Sequence, residues 1–254
     1  MPLTLSNTNG TGNFTLENRN NSGKIDISIA STFVTANLVL NLDAGNTASY
    51  PGSGTTWTDT VGSKTFTLYN GVTYSTNNGG YLSFTPASNQ YAESTTSLSA
   101  MSNWTVEAWH YYTGTNTGGS PCIVTEKWPN TTANLNYNLG NGSDSSPNLQ
   151  AGFFNGGWRN TPTGYTLTAN NWYQVIGTYD GSTIKLYVNS SLVQSASYSG
   201  TSTTGTQGIR LMTRWDILGQ YWGGRLGIVR IYNTALNTTQ ISQNWTANRS
   251  RFGL

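Results

Sequence analysis

At 254 residues the chain is long enough for one sizeable β-sandwich with a small appendage; only 9% of it is charged, and its net charge is +2. This balance excludes the basic field that nucleic acid or anionic lipid requires, and no run of about 18 apolar residues is present to cross a bilayer. Ser, Thr, Asn and Gly dominate beside 9 Trp and 15 Tyr, which predicts an uncharged, hydroxyl-rich surface on an all-β fold.

The first ten residues, MPLTLSNTNG, lack the basic segment and apolar core of a secretory signal. Residues 1–36 read as an arm. In FTLENRNNSGKIDISI, Phe14 and Leu16 alternate, Asn-Asn-Ser-Gly supplies a turn, and Ile25, Ile27 and Ile29 alternate on the return. Two strands alone are marginal in water, so this hairpin must pack on the main domain, on a copy of itself or on a larger assembly. The last two are the preferred reading, with an edge hairpin of the main domain as the alternative. The sandwich domain is expected over residues 37–254.

LVLNLDAGN puts Leu38, Leu40 and Leu42 on one face and opens the sandwich. The turn-rich segment after it carries Asp59, read as an acceptor for nearby backbone amides. A calcium ligand is the sharper alternative, but such a site draws several oxygens from more than one loop and no second carboxylate is at hand, so no cofactor is expected. NWTVEAWHYY is a central strand with Trp104, Val106, Ala108 and His110 on one face and Glu107, Trp109 and Tyr111 on the other. His110 has no second histidine for a metal site and reads as a hydrogen-bonded core or rim residue. Glu107 is expected to pair with a neighbouring strand or face solvent. Cys122, the only cysteine, reads as a small buried apolar residue, with a reactive thiol as the alternative. Without a disulfide partner it places folding in a reducing cytoplasm.

CIVTEKW, NLNYNLG and NLQAGFFN follow as strands, and the loops around them carry Trp128 and Trp158. A tryptophan flanked by glycines and an arginine, as in NGGWRN, either stacks on the C–H face of a sugar ring or anchors a subunit contact. Residues 171–198 are a meander of three antiparallel strands, with Asp180-Gly181 as a tight turn and Asn189 as a left-handed turn residue. Beyond it, Arg214, Trp215, Asp216, Tyr221 and Trp222 form the densest mix of aromatic and polar groups. They contact a ligand or cover one end of the core; the sequence leaves both readings open. LNTTQISQNW predicts a short helix, capped by Asn237 with Gln240 as its capping-box partner and stapled by Leu236 on Ile241.

Asn-Trp, a strand ending in TYDGS, a strand ending in YVN, and then GGRLGIVRIYNTALNTTQISQNW together resemble the laminin-G-like domains, relatives of the concanavalin A-like lectins and glucanases. LNLDAGN, the Trp57-Thr58-Asp59 turn and NWTVEAWHYY extend the resemblance over residues 38–254. It implies a two-sheet antiparallel jelly-roll sandwich with a short C-terminal helix, on a scaffold used mostly for binding. Gly227 departs from the acidic residue that the family often carries there, so no ionic role transfers to that strand. TRWD, GIVRIYN and the Asn-x-x-Arg-Phe-Gly-Leu ending resemble most the modules found on bacteriophage structural proteins.

Glucanases of this superfamily carry Glu-x-Asp-x-x-Glu on one strand, which sets nucleophile and acid/base on a common face. No such triplet occurs among the ten acidic residues, and no Gly-x-Ser-x-Gly elbow is present, so no enzymatic activity is expected. The expectation is a non-enzymatic virion structural protein, a phage head-decoration, spike or fibre subunit, made in the host cytoplasm and displayed on the virion surface. It would form a homo-oligomer such as a trimer, dock on capsid or tail proteins through its arm, and bind cell-surface carbohydrate through Trp128, Trp158, Arg214, Trp215, Asp216, Tyr221 and Trp222. A free-standing lectin is the alternative, and a polysaccharide-degrading hydrolase is the third reading.

Overall fold

Alternation of apolar and polar residues builds two antiparallel sheets in the computed structural model, which describes residues 14–17, 26–29, 32–127, 134–141, 148–202, 207–216 and 219–254. A hairpin of β1 (Phe14–Glu17) and β2 (Asp26–Ile29) comes first. Next come β3 (Leu38–Asp43), β4 (Thr56–Thr58), β5 (Thr65–Tyr69), β6 (Thr73–Ser75), β7 (Tyr81–Phe84) and β8 (Tyr91–Ser94). The long β9 (Trp104–Asn116) is followed by β10 (Cys122–Glu126), β11 (Leu135–Asn141), β12 (Asn148–Phe154), β13 (Trp158–Asn160) and β14 (Tyr165–Thr166). The meander is β15 (Asn171–Tyr179), β16 (Thr183–Val188) and β17 (Ser191–Ser197), and then come β18 (Ile209–Leu211), β19 (Trp222–Tyr232) and the helix α1 (Thr238–Asn248).

One sheet runs β17-β16-β15-β9-β19-β7-β6, with β3 also on β19; α1 lies over its outer face. The other runs β13-β12-β11-β10-β18-β8-β5-β4, with β14 on β12. This is the jelly-roll sandwich with a C-terminal helix that the resemblance implied. The core between the sheets holds Trp57, Trp104, Trp222, Tyr137, Phe66 and Phe153, all fully buried. The meander turns as its sequence dictates. Asp180 accepts the backbone N–H groups of Ser182 and Thr183, Gly181 takes φ 92°, and Asn189 and Ser190 are both left-handed.

The helix forms where its cap predicts. The Asn237 side chain accepts the Gln240 N–H and Gln240 Oε1 accepts the Asn237 N–H, a box worth about 1 kcal/mol. Leu236 and Ile241 pack together with Ile176 and Tyr232 on the sheet. Trp245 and Phe252 both stack on Trp109, with centroids 5.6 and 4.9 Å away. Gly227 sits at a bulge of β19, where a Cβ would strike the Phe252 ring. That contact, rather than an ionic one, is what its departure from the family pattern serves.

Glu107 is fully buried under this helix, not facing solvent. It accepts hydrogen bonds from Trp109 Nε1, Gln174 Nε2 and Asn244 Nδ2 at 2.8–2.9 Å, and Arg230 pairs with it at 3.7 Å. Residues 32–34 join the same layer. Asn244 Oδ1 accepts the Val34 N–H, Tyr232 donates to the Val34 carbonyl, Gln243 donates to the Thr32 carbonyl, and the Phe33 ring lies 3.8 Å from the Arg230 guanidinium. The arm drawn at residues 1–36 thus ends in a segment laced to the sandwich.

Asp59 is the turn acceptor anticipated for it, receiving the backbone N–H groups of Asn41, Val61 and Gly62. His110 is buried on the core face against the edge of Trp222. The hydrogen bond expected for it is reduced to a weak contact with the Gly223 backbone, and neither ring nitrogen makes a well-formed bond among the described residues. Burial pushes its pKa down to about 3, with the Gly223 backbone acting in the opposite sense. Cys122 is also fully buried, and burial raises its thiol well above the ordinary range, which keeps it an unreactive apolar group.

Candidate functional site

A single row of residues crosses the outer face of the sheet opposite the helix. Thr67, Glu93, Arg210, Thr125, Asn138, Gly152 and Asn160 are successive cross-strand partners on β5, β8, β18, β10, β11, β12 and β13. Arg210 anchors the row. Its Nε donates to Glu93 at 2.8 Å, and Lys127 donates to the other oxygen of the same carboxylate at 2.7 Å. Burial acts to raise the Glu93 pKa, but the hydrogen bonds from Lys127 and Arg210 outweigh it and hold the carboxyl below its usual range.

The remaining reach of Arg210 builds the site. One terminal nitrogen lies 3.3 Å from the carbonyls of Arg214, Trp215 and Asp216, which folds this loop back over the sheet. The loop lays Trp215 onto Cys122, Leu135 and Phe154. Trp158 comes from the next edge, paired with Phe154 across β12 and β13, and meets Trp215 with ring centroids 4.7 Å apart and Phe154 at 5.3 Å. The result is an aromatic ledge whose outermost ring, Trp158, is 38% exposed. Arg214 lies over the Trp215 ring at 4.9 Å and pairs with Asp216 at 2.6 Å, so a charged pair flanks the ledge. On the same sheet, the buried atoms Asn138 Nδ2 and Asn160 Oδ1 have no hydrogen-bond partner among the described residues.

The structure therefore brings Trp158 against the contiguous segment Arg214–Asp216, from which it is far apart in sequence. It separates Tyr221 and Trp222 from them. Trp222 is fully buried between His110 and Tyr112 in the core, and Tyr221 is buried beside Tyr91. Neither offers surface to a ligand, which corrects their inclusion. Alternation along β19 turns Trp222 inward, and the Thr213–Tyr221 bridge closes the turn before it. Trp128 lies outside the described residues. Sequence reading passed over Phe154, Arg210, Asn138 and Asn160. The available signal was Arg210 itself, a charge between Ile209 and Leu211 on a short strand, which has to point away from the core.

A family model for the concanavalin A-like lectin/glucanases superfamily, Laminin_G_3, matches residues 86–242. The chain belongs to this family. Its match is shorter than the span of motifs from residue 38, although β3 completes the sheet by pairing with β19. Solved structures similar to this Laminin_G_3 chain share its fold. Domain 4 of AbnA, an extracellular arabinanase from Geobacillus stearothermophilus, solved with arabinotriose, is 18% identical with a TM-score of 0.64, over 83% of this chain and 98% of that one. The binding domain of Paraclostridial Mosquitocidal Protein 1 is 17% identical with a TM-score of 0.61, over 82% of this chain and 52% of that one. Trypanosoma rangeli sialidase, solved with sialic acid, is 14% identical with a TM-score of 0.60, over 87% of this chain and only 34% of its own. A search of curated protein sequences finds no match.

Proposed function

We propose that the chain is a non-catalytic carbohydrate-binding domain whose ligand lies on Trp158, the exposed ring of the ledge that buried Trp215 supports. The observation that carries this is the partly exposed Trp158, a large apolar ring packed on Trp215 and Phe154 and bordered by an Arg214–Asp216 pair. An aromatic plane suits the C–H face of a sugar ring, and the flanking polar groups suit its hydroxyls. The arabinotriose in the structurally similar arabinanase domain supports the class of ligand.

The non-catalytic part rests on how the carboxylates are used. Asp43 is held by Arg251, Asp59 by backbone amides, Glu93 by Lys127 and Arg210, Glu107 by three side-chain donors, Glu126 by the Asn136 amide, Asp180 by its own turn and Asp216 by Arg214. Glycoside hydrolysis needs two carboxyl groups facing one open cleft. Each of these is instead committed to a separate structural partner.

The test is paired substitution read by glycan-array binding and thermal unfolding. Trp158→Ala is expected to abolish binding of neutral glycans at nearly unchanged stability, whereas Trp222→Ala is expected to cost about 3–5 kcal/mol. Retained binding of neutral glycans in the folded Trp158→Ala protein, or sustained release of reducing ends from a polysaccharide, would overturn the reading.

A second reading, the virion surface subunit, is favoured by one observation. Among the described residues the β1–β2 hairpin pairs only with itself, while residues 32–34 tie the chain that leads from it to the sandwich. A hairpin that pairs with no strand of the sandwich among the described residues suits an assembly arm docking on a copy of itself or on a capsid or tail protein. Mass measurement in solution tests it: a closed oligomer for the full chain and a monomer for a chain starting at residue 32 are expected. A monomer in both cases rejects it.

A further inference from the structure

The outer face of the helix-bearing sheet holds a second cluster that the ledge does not involve. Arg225 on β19 is half-buried, with its guanidinium carbon 4.2 Å from the Tyr111 ring centroid and 4.8 Å from that of Tyr81. Trp172 packs edge-on against both tyrosines, at 5.6 and 5.8 Å, so the two rings that clamp the cation are themselves braced. No acceptor among the described residues takes any of the Arg225 N–H groups, and no carboxylate neutralises it. The other arginines on this face, Arg230 and Arg251, are both paired with acids.

Arg225 lines a groove of about 260 Å³ together with Ser83, Thr85, Pro86, Thr113 and Thr115. The Thr113 and Thr115 hydroxyls lie 3.1 Å apart on one wall. Close approach of the chain requires a glycine at 223, where a Cβ would collide with Thr115 and press on Pro86. The volume lies just below the range of about 300–1,000 Å³ usual for whole-ligand sites and suits a single ring. The chemistry is specific: a fixed planar fork of unmatched donors recognises a carboxylate or sulfate through two parallel hydrogen bonds, and neighbouring hydroxyls recognise hydroxyls.

We propose that this groove binds the acidic group of an anionic saccharide, a uronate carboxylate or a sulfate ester, through Arg225. Ring hydroxyls meet Thr113, Thr115 and Ser83, and the ring lies against Pro86. The site is on the opposite sheet from the Trp158 ledge and stands independently of it.

Calorimetry at low salt tests the assignment with two matched pairs: trigalacturonic acid against its methyl ester, and a sulfated disaccharide against its desulfated form. The acidic member of one pair is expected to bind about tenfold or more tightly than its neutral counterpart. Arg225→Gln removes that preference, Arg225→Lys keeps part of it, and Trp158→Ala leaves it intact. Which pair shows the preference identifies the anion. Should Arg225→Gln fail to fold, the Arg225 Nε–H resonance of the unaltered protein, identified by its loss in Arg225→Lys, is expected to shift as the acidic probe is added. Equal binding within both pairs, a preference that vanishes in Trp158→Ala, or an unmoved Arg225 resonance would overturn it.

Discussion

Arg225 and Arg230 stand on one strand and one face, yet they live in opposite environments. The bulge around Gly227 inserts an extra residue, so two side chains five apart point the same way, opposite Tyr111 and Glu107 of β9 respectively. Arg230 is sealed beneath α1 and residues 32–34, with Glu107 at 3.7 Å, Asn41 at 3.1 Å and the Phe33 ring against it. Arg225 lies beside an open groove and is clamped by two aromatic rings, with no acid paired to it among the described residues. A charge taken out of water has to be matched by the protein, while one left at the surface is free to be matched by something else. The strand builds the scaffold with one arginine and leaves the other available.

The largest test of this contrast is to remove each charge in turn. Arg230→Gln leaves Glu107 buried without its cation and is expected to lose about 3–5 kcal/mol of stability in urea unfolding, against at most about 1 kcal/mol for Arg225→Gln. Equal losses would break the comparison.

Carboxylates sharpen it through pH. Glu107 has a cation and three donors, whereas buried Glu126 has one backbone N–H, from Asn136, and burial lifts its pKa from 4.5 to about 7. A raised pKa means that the folded state favours the proton, so Glu126 erodes stability as pH rises from about 4.5 through about 7. Glu126→Gln, whose amide oxygen still accepts the Asn136 N–H, is expected to stabilise the protein by up to about 3 kcal/mol at pH 8 and by almost nothing at pH 4, read from thermal unfolding at both values. His110 acts with the opposite sign. Its pKa is depressed to about 3, so stability falls as pH drops below about 6.5.

The smallest effect concerns the cover itself. Asn237→Ala opens the capping box of α1 and is expected to cost about 1 kcal/mol, with faster amide exchange in the first helical turn and no change in the acidic-saccharide preference assigned to Arg225. A change in that preference would mean that the two ends of the strand are coupled.

Local features were legible because their causes are local. The meander around Asp180-Gly181, the face assignments along 104–111, the Asn237 cap and the Asp59 turn each depend on residues within a few positions of one another. The site was legible only in part. Trp158 stood out through its glycine neighbours and the 214–216 segment through its composition. Nothing local joined them, and nothing local separated Trp215, which lies on the ledge, from Trp222, which lies in the core seven residues later.

The sequence by itself determined the fold class, the turns, the start of the helix and the absence of a dominant charge field, since periodicity, turn chemistry and composition act over short range. Only the tertiary structure decided which polar groups are buried with partners, as Glu107 and Arg230 are, and which stay open, as Arg225 does. That choice depends on what a distant segment covers. The helix and residues 32–34 close one end of β19, and the Arg210-anchored loop sets Trp215 beside Trp158. Cross-strand neighbours from seven different strands meet in one row, and no spacing along the chain encodes that meeting.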